Sequence, residues 1–364
     1  MSEKLNRLLL GISLVLLLAG LIVLMSASAI IGEQDYGDVY YFIKRQLLQG
    51  VLGGVILAWL ASKIDYHIWK KLSFFLLAIN ILLLLMCFLP AFHPPGTPTS
   101  RGLKIGPIIL QPAEFLKISL IAFISGLLSN YPPAKRRKIT SRPFIIFFCT
   151  IGLVGIIIFK QPATGTLLVL AISTLAIYFS AGLTALQFLF ICLSGLMALA
   201  LVIIKSPYRY ERITSFLSPQ KDPLGKGYHI IQSLIGIGSG GIFGVGFGRS
   251  VQKFNYLPES HTDAIFSIIA EEFGFIGSTV VITLFLIFLV TGLKIAKNAE
   301  DSFGRFLAIG LTCSITTQAF INIAAMCKLL PITGIPLPFF SYGSSSLITT
   351  LISVGILSRI AKRS

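Results

Sequence analysis

The chain reads as an all-α polytopic membrane protein, and three features of the sequence predict it. Of its 364 residues, 55% are hydrophobic and only 12% are charged, about half the charge of an ordinary soluble domain. The apolar residues collect in runs near the ~20 residues that a helix needs to cross a bilayer. Those runs are continuous rather than alternating, so the closed barrel, the other way to satisfy a backbone in lipid, is excluded.

About ten transmembrane helices follow, at 8–31, 46–62, 72–92, 112–128, 143–159, 166–181, 185–204, 263–293, 303–327 and 341–357. The first exceeds the core of a signal peptide and is read as a retained helix, although "SASA" near its end resembles a cleavage site. The segments after spans two, four and eight ("SKIDYHIWKK", "AKRRKITSR", "LKIAKNAEDSFGR") and the two ends of the chain hold sixteen of the thirty Lys and Arg. Cytoplasmic loops carry that excess, so both termini are expected on the cytoplasmic side of the membrane. The whole chain, 1–364, is expected to form one unit, with 205–262 a large extracytoplasmic loop between spans seven and eight. Its "GYHIIQSLIGIGSGGIFGVGFG" reads as an amphipathic stretch and glycine turns at the outer leaflet. A nucleotide is not expected on "GVGFG", which has neither a preceding strand nor a Walker lysine. The five cysteines show no paired spacing and read as packing residues.

Ionisable residues in apolar sequence mark the functional region, because a charge in lipid needs a cavity or a partner. Glu114 and Lys117, three apart in "QPAEFLKI", share a helical face. They read either as an internal ion pair or as a polar cavity wall. Lys160 either snorkels to the interface or joins Arg101, Arg209 and Arg212 in lining a pocket for a phosphate-bearing lipid headgroup. Nucleic acid is not an expected partner. "YLPESHTDAIFSIIAEEFGFIG" holds Glu259, His261, Asp263, Glu271 and Glu272. Thr262 or Asp263 is an ordinary helix N-cap; alternatively Asp263 is a general base on a sugar hydroxyl. Glu271 and Glu272 lie about 12 Å further along the helix and are better suited to polar partners in the bundle. In "LLPITGIPLPFFSYGSSSL" the prolines and glycines break the backbone, and Ser341 and Tyr342 supply polar contacts beneath the site.

Taken together, "QPAEFLKI", "PYRYERITSFLSPQKDPLGKGYHIIQ", "SVQKFNYLPESHTD" and "LPITGIPLPFFSYGSSSL" resemble the SEDS family (shape, elongation, division and sporulation), the peptidoglycan glycosyltransferases typified by FtsW and RodA. "SVQKFNYLPESHTD" is more similar to the division or sporulation branch than to the elongation branch. The resemblance implies polymerisation of lipid II, an undecaprenyl pyrophosphate-linked disaccharide pentapeptide, for septum synthesis. It also implies a class B penicillin-binding protein and other divisome membrane proteins as partners, and a divalent cation, Mg2+ or Mn2+, assisting; the metal ligands stay unassigned. The family's essential aspartate falls on Asp263. This chain departs from the family pattern at Gly102, Ala163, Ala264 and Ser344. A flippase for a lipid-linked precursor and an inactive scaffold for the penicillin-binding protein are the competing functions.

Overall fold

The computed structural model describes residues 2–92, 102–105, 108–136, 138–161, 163–205, 207–225 and 227–363; the side chains at 105, 108, 199 and 201–209 are not among those described. The chain runs through α1 (Ser2–Tyr36), α2 (Tyr41–Arg45), a π-helical stretch Gln46–Leu52, α3 (Gly53–Lys63) and α4 (His67–Met86). An antiparallel hairpin follows, β1 (Leu103–Ile105) with β2 (Ile108–Leu110), Leu103 opposite Leu110. Then come α5 (Pro112–Ser129), α6 (Arg142–Lys160), α7 (Thr164–Ser180), α8 (Ala185–Lys205), α9 (Pro207–Leu217), α10 (Tyr228–Ser239), α11 (Ile265–Asn298), α12 (Ser302–Met326) and α13 (Ser344–Arg363).

Eight helices among the described residues are long and apolar enough to cross a membrane, α2 and α3 counting as one through the π-helical stretch. This is a multi-pass membrane protein. The shorter apolar α7 and the N-terminal part of α8 occupy the remaining two of the ten expected positions. The hairpin is an addition to the all-α expectation.

The bundle has a centre and a rim. The apolar windows of α12 and α13 are 78% buried and that of α5 is 72%, against 22% for α4 and for the α2–α3 span, so the last two face lipid. At the centre the helices meet through small residues. An added Cβ at Gly355 would strike the backbone of Ala58, and one at Gly310 the side chains of Ile121 and Ile177. Buried Ser345, Ser346, Thr349, Thr350 and Ser353 run along α13, with Thr312, Ser314 and Thr316 on α12. The hydroxyls of Thr316, Thr349, Thr350 and Ser353 bond back to their own helices, as Thr349 Oγ1 does to the Ser345 carbonyl at 3.0 Å. Small residues of this kind let helix backbones approach closely where lipid supplies no apolar driving force between helices.

One end of the bundle ties both chain ends together. Ser358 donates to Asn6 at 2.6 Å, Arg363 pairs with Asp65 at 2.7 Å, and Tyr66 donates to Asp301 at 2.7 Å. Since α1 leaves this end and α13 arrives at it, Tyr36 and Ser344 stand at the opposite one.

The expected eighth span is broken. Gly274, inside α11, has φ 66 and ψ −162, a conformation open essentially to glycine alone. The glycine-rich segment after α10 repairs the break by trading backbone bonds with it. Val245 and Gly246 donate to the carbonyls of Glu271 and Glu272 at 3.0 and 3.1 Å; Phe275 and Ile276 donate to those of Gly241 and Ile242 at 2.9 and 3.2 Å. Non-helical backbone at membrane depth is tolerated only when protein satisfies it in this way. The two acids secure the same segment. Glu271 accepts from Ser250 Oγ and from Val251 N at 2.9 Å. Glu272 accepts from Ser26 at 2.6 Å and pairs with Lys253 at 3.2 Å, which also donates to the Gly248 carbonyl at 2.6 Å. Both therefore find polar partners within the bundle.

Candidate functional site

At the Tyr36 end, a cavity of about 530 Å³ opens among α1, α2, β2, α9, the turn before α11 and the segment leading into α13. Asp263, Thr262, Glu259, Arg212 and Tyr342 line it, as do Arg45, Gln49, Gln111 and Ser344. Two carboxylates and two guanidinium groups thus share one chamber.

The turn carrying Asp263 is fixed through its main chain. Glu259 adopts φ 54, which lets its carbonyl accept from the amides of Thr262 and Ala264 at 3.0 and 3.2 Å. Asn322 of α12 donates to the Asp263 carbonyl at 2.7 Å and the Ile335 carbonyl at 2.8 Å, joining the turn to the segment 330–343. Ser341 Oγ donates to the Thr262 carbonyl and accepts from Leu337 N at 2.7 Å, while Tyr342 N donates to the His261 carbonyl at 2.9 Å. Gln46 closes the assembly: its side chain donates to the Ser341 carbonyl at 3.3 Å and accepts from Gly343 N at 3.2 Å. The π-helical stretch that begins at Gln46 is an irregularity of a kind often found at functional sites.

The N-cap expectation for Thr262 and Asp263 is corrected here. The cap of α11 is Ala264, and no side chain caps the helix. The Thr262 hydroxyl instead donates to the Glu259 carboxylate at 2.5 Å, and Asp263 is one of the residues lining the cavity.

Glu114 and Lys117 form a closed buried pair at 2.6 Å rather than a wall of the main cavity. Lys117 also donates to Gln318 Oε1 at 2.5 Å, and Gln318 donates to the Pro336 carbonyl at 2.8 Å, so the pair braces the segment beneath the site. Removing one member leaves a desolvated charge. Lys117→Met is expected to cost roughly 3–5 kcal/mol, and Glu114→Gln added to it is expected to recover most of that. Melting of the detergent-solubilised variants measures both.

Lys160 is exposed at the end of α6 and is not among the residues lining the cavity, which agrees with the snorkelling alternative. Arg209 belongs to α9 by its backbone; Arg101 and the side chain of Arg209 lie outside the described residues. Arg212 lines the cavity and donates to the Ile332 carbonyl at 3.1 Å. Burial pushes the His261 imidazole below its ordinary range, against the upward pull of Glu259 and Asp35. It is therefore a neutral ring at neutral pH, packed 4.6 Å from Phe42 and 5.9 Å from Tyr342.

Sequence reasoning missed Arg45, Gln46, Gln111 and Asn322. Arg45 carried a usable signal, since it is a cation on the face where topology disfavours cations. Gln46 and Asn322 carried none, because a lone amide in an apolar helix does not reveal which carbonyl it will reach. Among the described residues, no three His, Cys, Asp or Glu side chains cluster to hold a metal ion.

Comparison with known proteins gives one consistent answer. Residues 6–364 match the cell cycle protein family FtsW/RodA/SpoVE. The chain is 41% identical to stage V sporulation protein E of Bacillus subtilis, over 99% of this chain and 97% of that protein. It is 38% identical to a probable peptidoglycan glycosyltransferase FtsW of Trichlorobacter lovleyi, over 94% and 89%. In fold it is similar to the crystal structure of the rod shape determining protein RodA of Thermus thermophilus, with TM-score 0.70 and 24% identity over 97% and 95% of the two chains. A chain solved in a study of polymerization and crosslinking by a peptidoglycan synthase complex matches with TM-score 0.76, at 23% identity over 97% and 96%.

Proposed function

The chain belongs to the FtsW/RodA/SpoVE family of cell cycle proteins, and from that membership and the cavity we propose that it is a peptidoglycan glycosyltransferase polymerising lipid II. The observation that carries the proposal is the meeting of Asp263 with Arg45 and Arg212 in one chamber. Its volume falls in the range of small-molecule sites.

In this reading Asp263 takes the proton from the 4-hydroxyl of the acceptor sugar. The freed oxygen pair forms a bond to the donor's anomeric carbon, and the carbon–oxygen bond to undecaprenyl pyrophosphate breaks with its electrons leaving on the phosphate. Arg45 and Arg212 receive that charge; guanidinium groups bind phosphate oxygens bidentately and never lose their own charge. A divalent cation fits the donor set as a guest shared with substrate. Glu259 would hold it together with the substrate, since Mg2+ is commonly bound by one or two carboxylates plus substrate phosphates. When bound it would neutralise the leaving pyrophosphate.

The basic segments gather at the end of the bundle opposite the cavity. This supports an orientation with both termini in the cytoplasm of a bacterial inner membrane and the site facing outward. A class B penicillin-binding protein is the proposed partner, crosslinking the strand as it emerges, with other divisome membrane proteins alongside.

The test is purified protein with that partner, supplied with lipid II. Glycan polymer on a gel supports the reading. Transfer of the headgroup across liposomes without polymer would replace it with a flippase.

A further inference from the structure

We propose that the stacked rings of Tyr36 and Tyr41 form a carbohydrate platform, taking the apolar face of a pyranose ring of the growing glycan. This rests on the polymerase reading and adds a sugar subsite to it.

The two rings lie 3.7 Å apart and within 5° of parallel. Phe42 stands edge-on to both, 5.7 and 5.3 Å away, and is itself backed by His261 and Tyr342 at 4.6 and 5.0 Å. Arg45 donates to the Tyr41 hydroxyl at 3.0 Å. The stack is thus locked from behind and at its rim, while Tyr36 is 52% exposed and both tyrosines line the chamber that holds Asp263.

A pyranose presents C–H bonds on its faces and hydroxyls around its edge. A fixed aromatic plane covers such a face, and the neighbouring Gln49 offers an amide for the edge. The rings are prepositioned, so little conformational freedom is lost on binding. A polyprenyl tail has no use for the amide beside the rings, and a pyrophosphate has none for the rings.

The probe is a soluble, uncrosslinked tetrasaccharide of alternating N-acetylglucosamine and N-acetylmuramic acid, titrated calorimetrically into the full-length protein in detergent. Tyr36→Leu, which keeps bulk but removes the aromatic plane, is expected to weaken binding roughly tenfold, while Tyr36→Phe keeps wild-type affinity. In the lipid II assay the same Leu variant is expected to make shorter strands. Equal affinity of the Leu variant and wild type, or no binding by wild type, overturns the platform. If wild type binds the tetrasaccharide in a Tyr36-dependent way but makes no polymer, the platform stands and the polymerase reading falls.

Discussion

Asp263→Asn is expected to reduce polymerisation of lipid II by about a thousandfold, within the range that a positioned general base contributes. Asparagine keeps the size of the side chain but has no lone pair basic enough to accept the hydroxyl proton. The fold is expected to be unaffected. What Asn322 grips is the Asp263 main-chain carbonyl, which the substitution leaves in place, and the helix beyond is capped by Ala264 rather than by the carboxylate. Expression and melting temperature should therefore match wild type while the polymer disappears from the gel. Polymer at the normal rate would remove Asp263 from the mechanism.

The largest effect on stability is expected from Gly274→Ala. The backbone there occupies a region that L-residues reach only under strain of about 1–3 kcal/mol. The added methyl would also collide with the Gly244 nitrogen and the Ile242 carbonyl, forcing apart the two strands of chain whose amides and carbonyls are exchanged across the break. Strain and lost hydrogen bonds together put the cost at about 4–5 kcal/mol, at the exceptional end for one substitution. Poor yield and a collapse of the melting temperature should result. Gly238→Ala, where an added methyl meets nothing within 4 Å, is the matched control and should behave as wild type.

The spans were legible because continuous apolar sequence leaves a membrane backbone almost no choice but helix. The partners of Glu271 and Glu272 were legible in kind, since a charge far from water must find company. The break at Gly274 was hidden for a local reason. A glycine in "EEFGFIG" looks the same in an intact helix as in a broken one, and the deciding partner lies about thirty residues upstream, at 241–246. The site was legible where chemistry concentrates in one run, as it does from Glu259 to Asp263. It was illegible where it is assembled from distant helices, as with Arg45, Gln111 and Asn322. Nothing in the sequence singles out Tyr36 and Tyr41, since aromatic residues are common at membrane boundaries. Lys160 was legible only as two alternatives, because a cation near the outer face has the same sequence context whether it snorkels or lines a chamber.

The small hydroxylated residues along α12 and α13 set how the protein responds to temperature. A water-soluble core loosens on cooling because the aversion of oil for water fades. Here the surrounding solvent is itself oily, so the middle of the bundle is held by fit and dispersion, neither of which weakens as heat is withdrawn. Chilling should leave this centre intact and act first on the water-facing segments around the chamber.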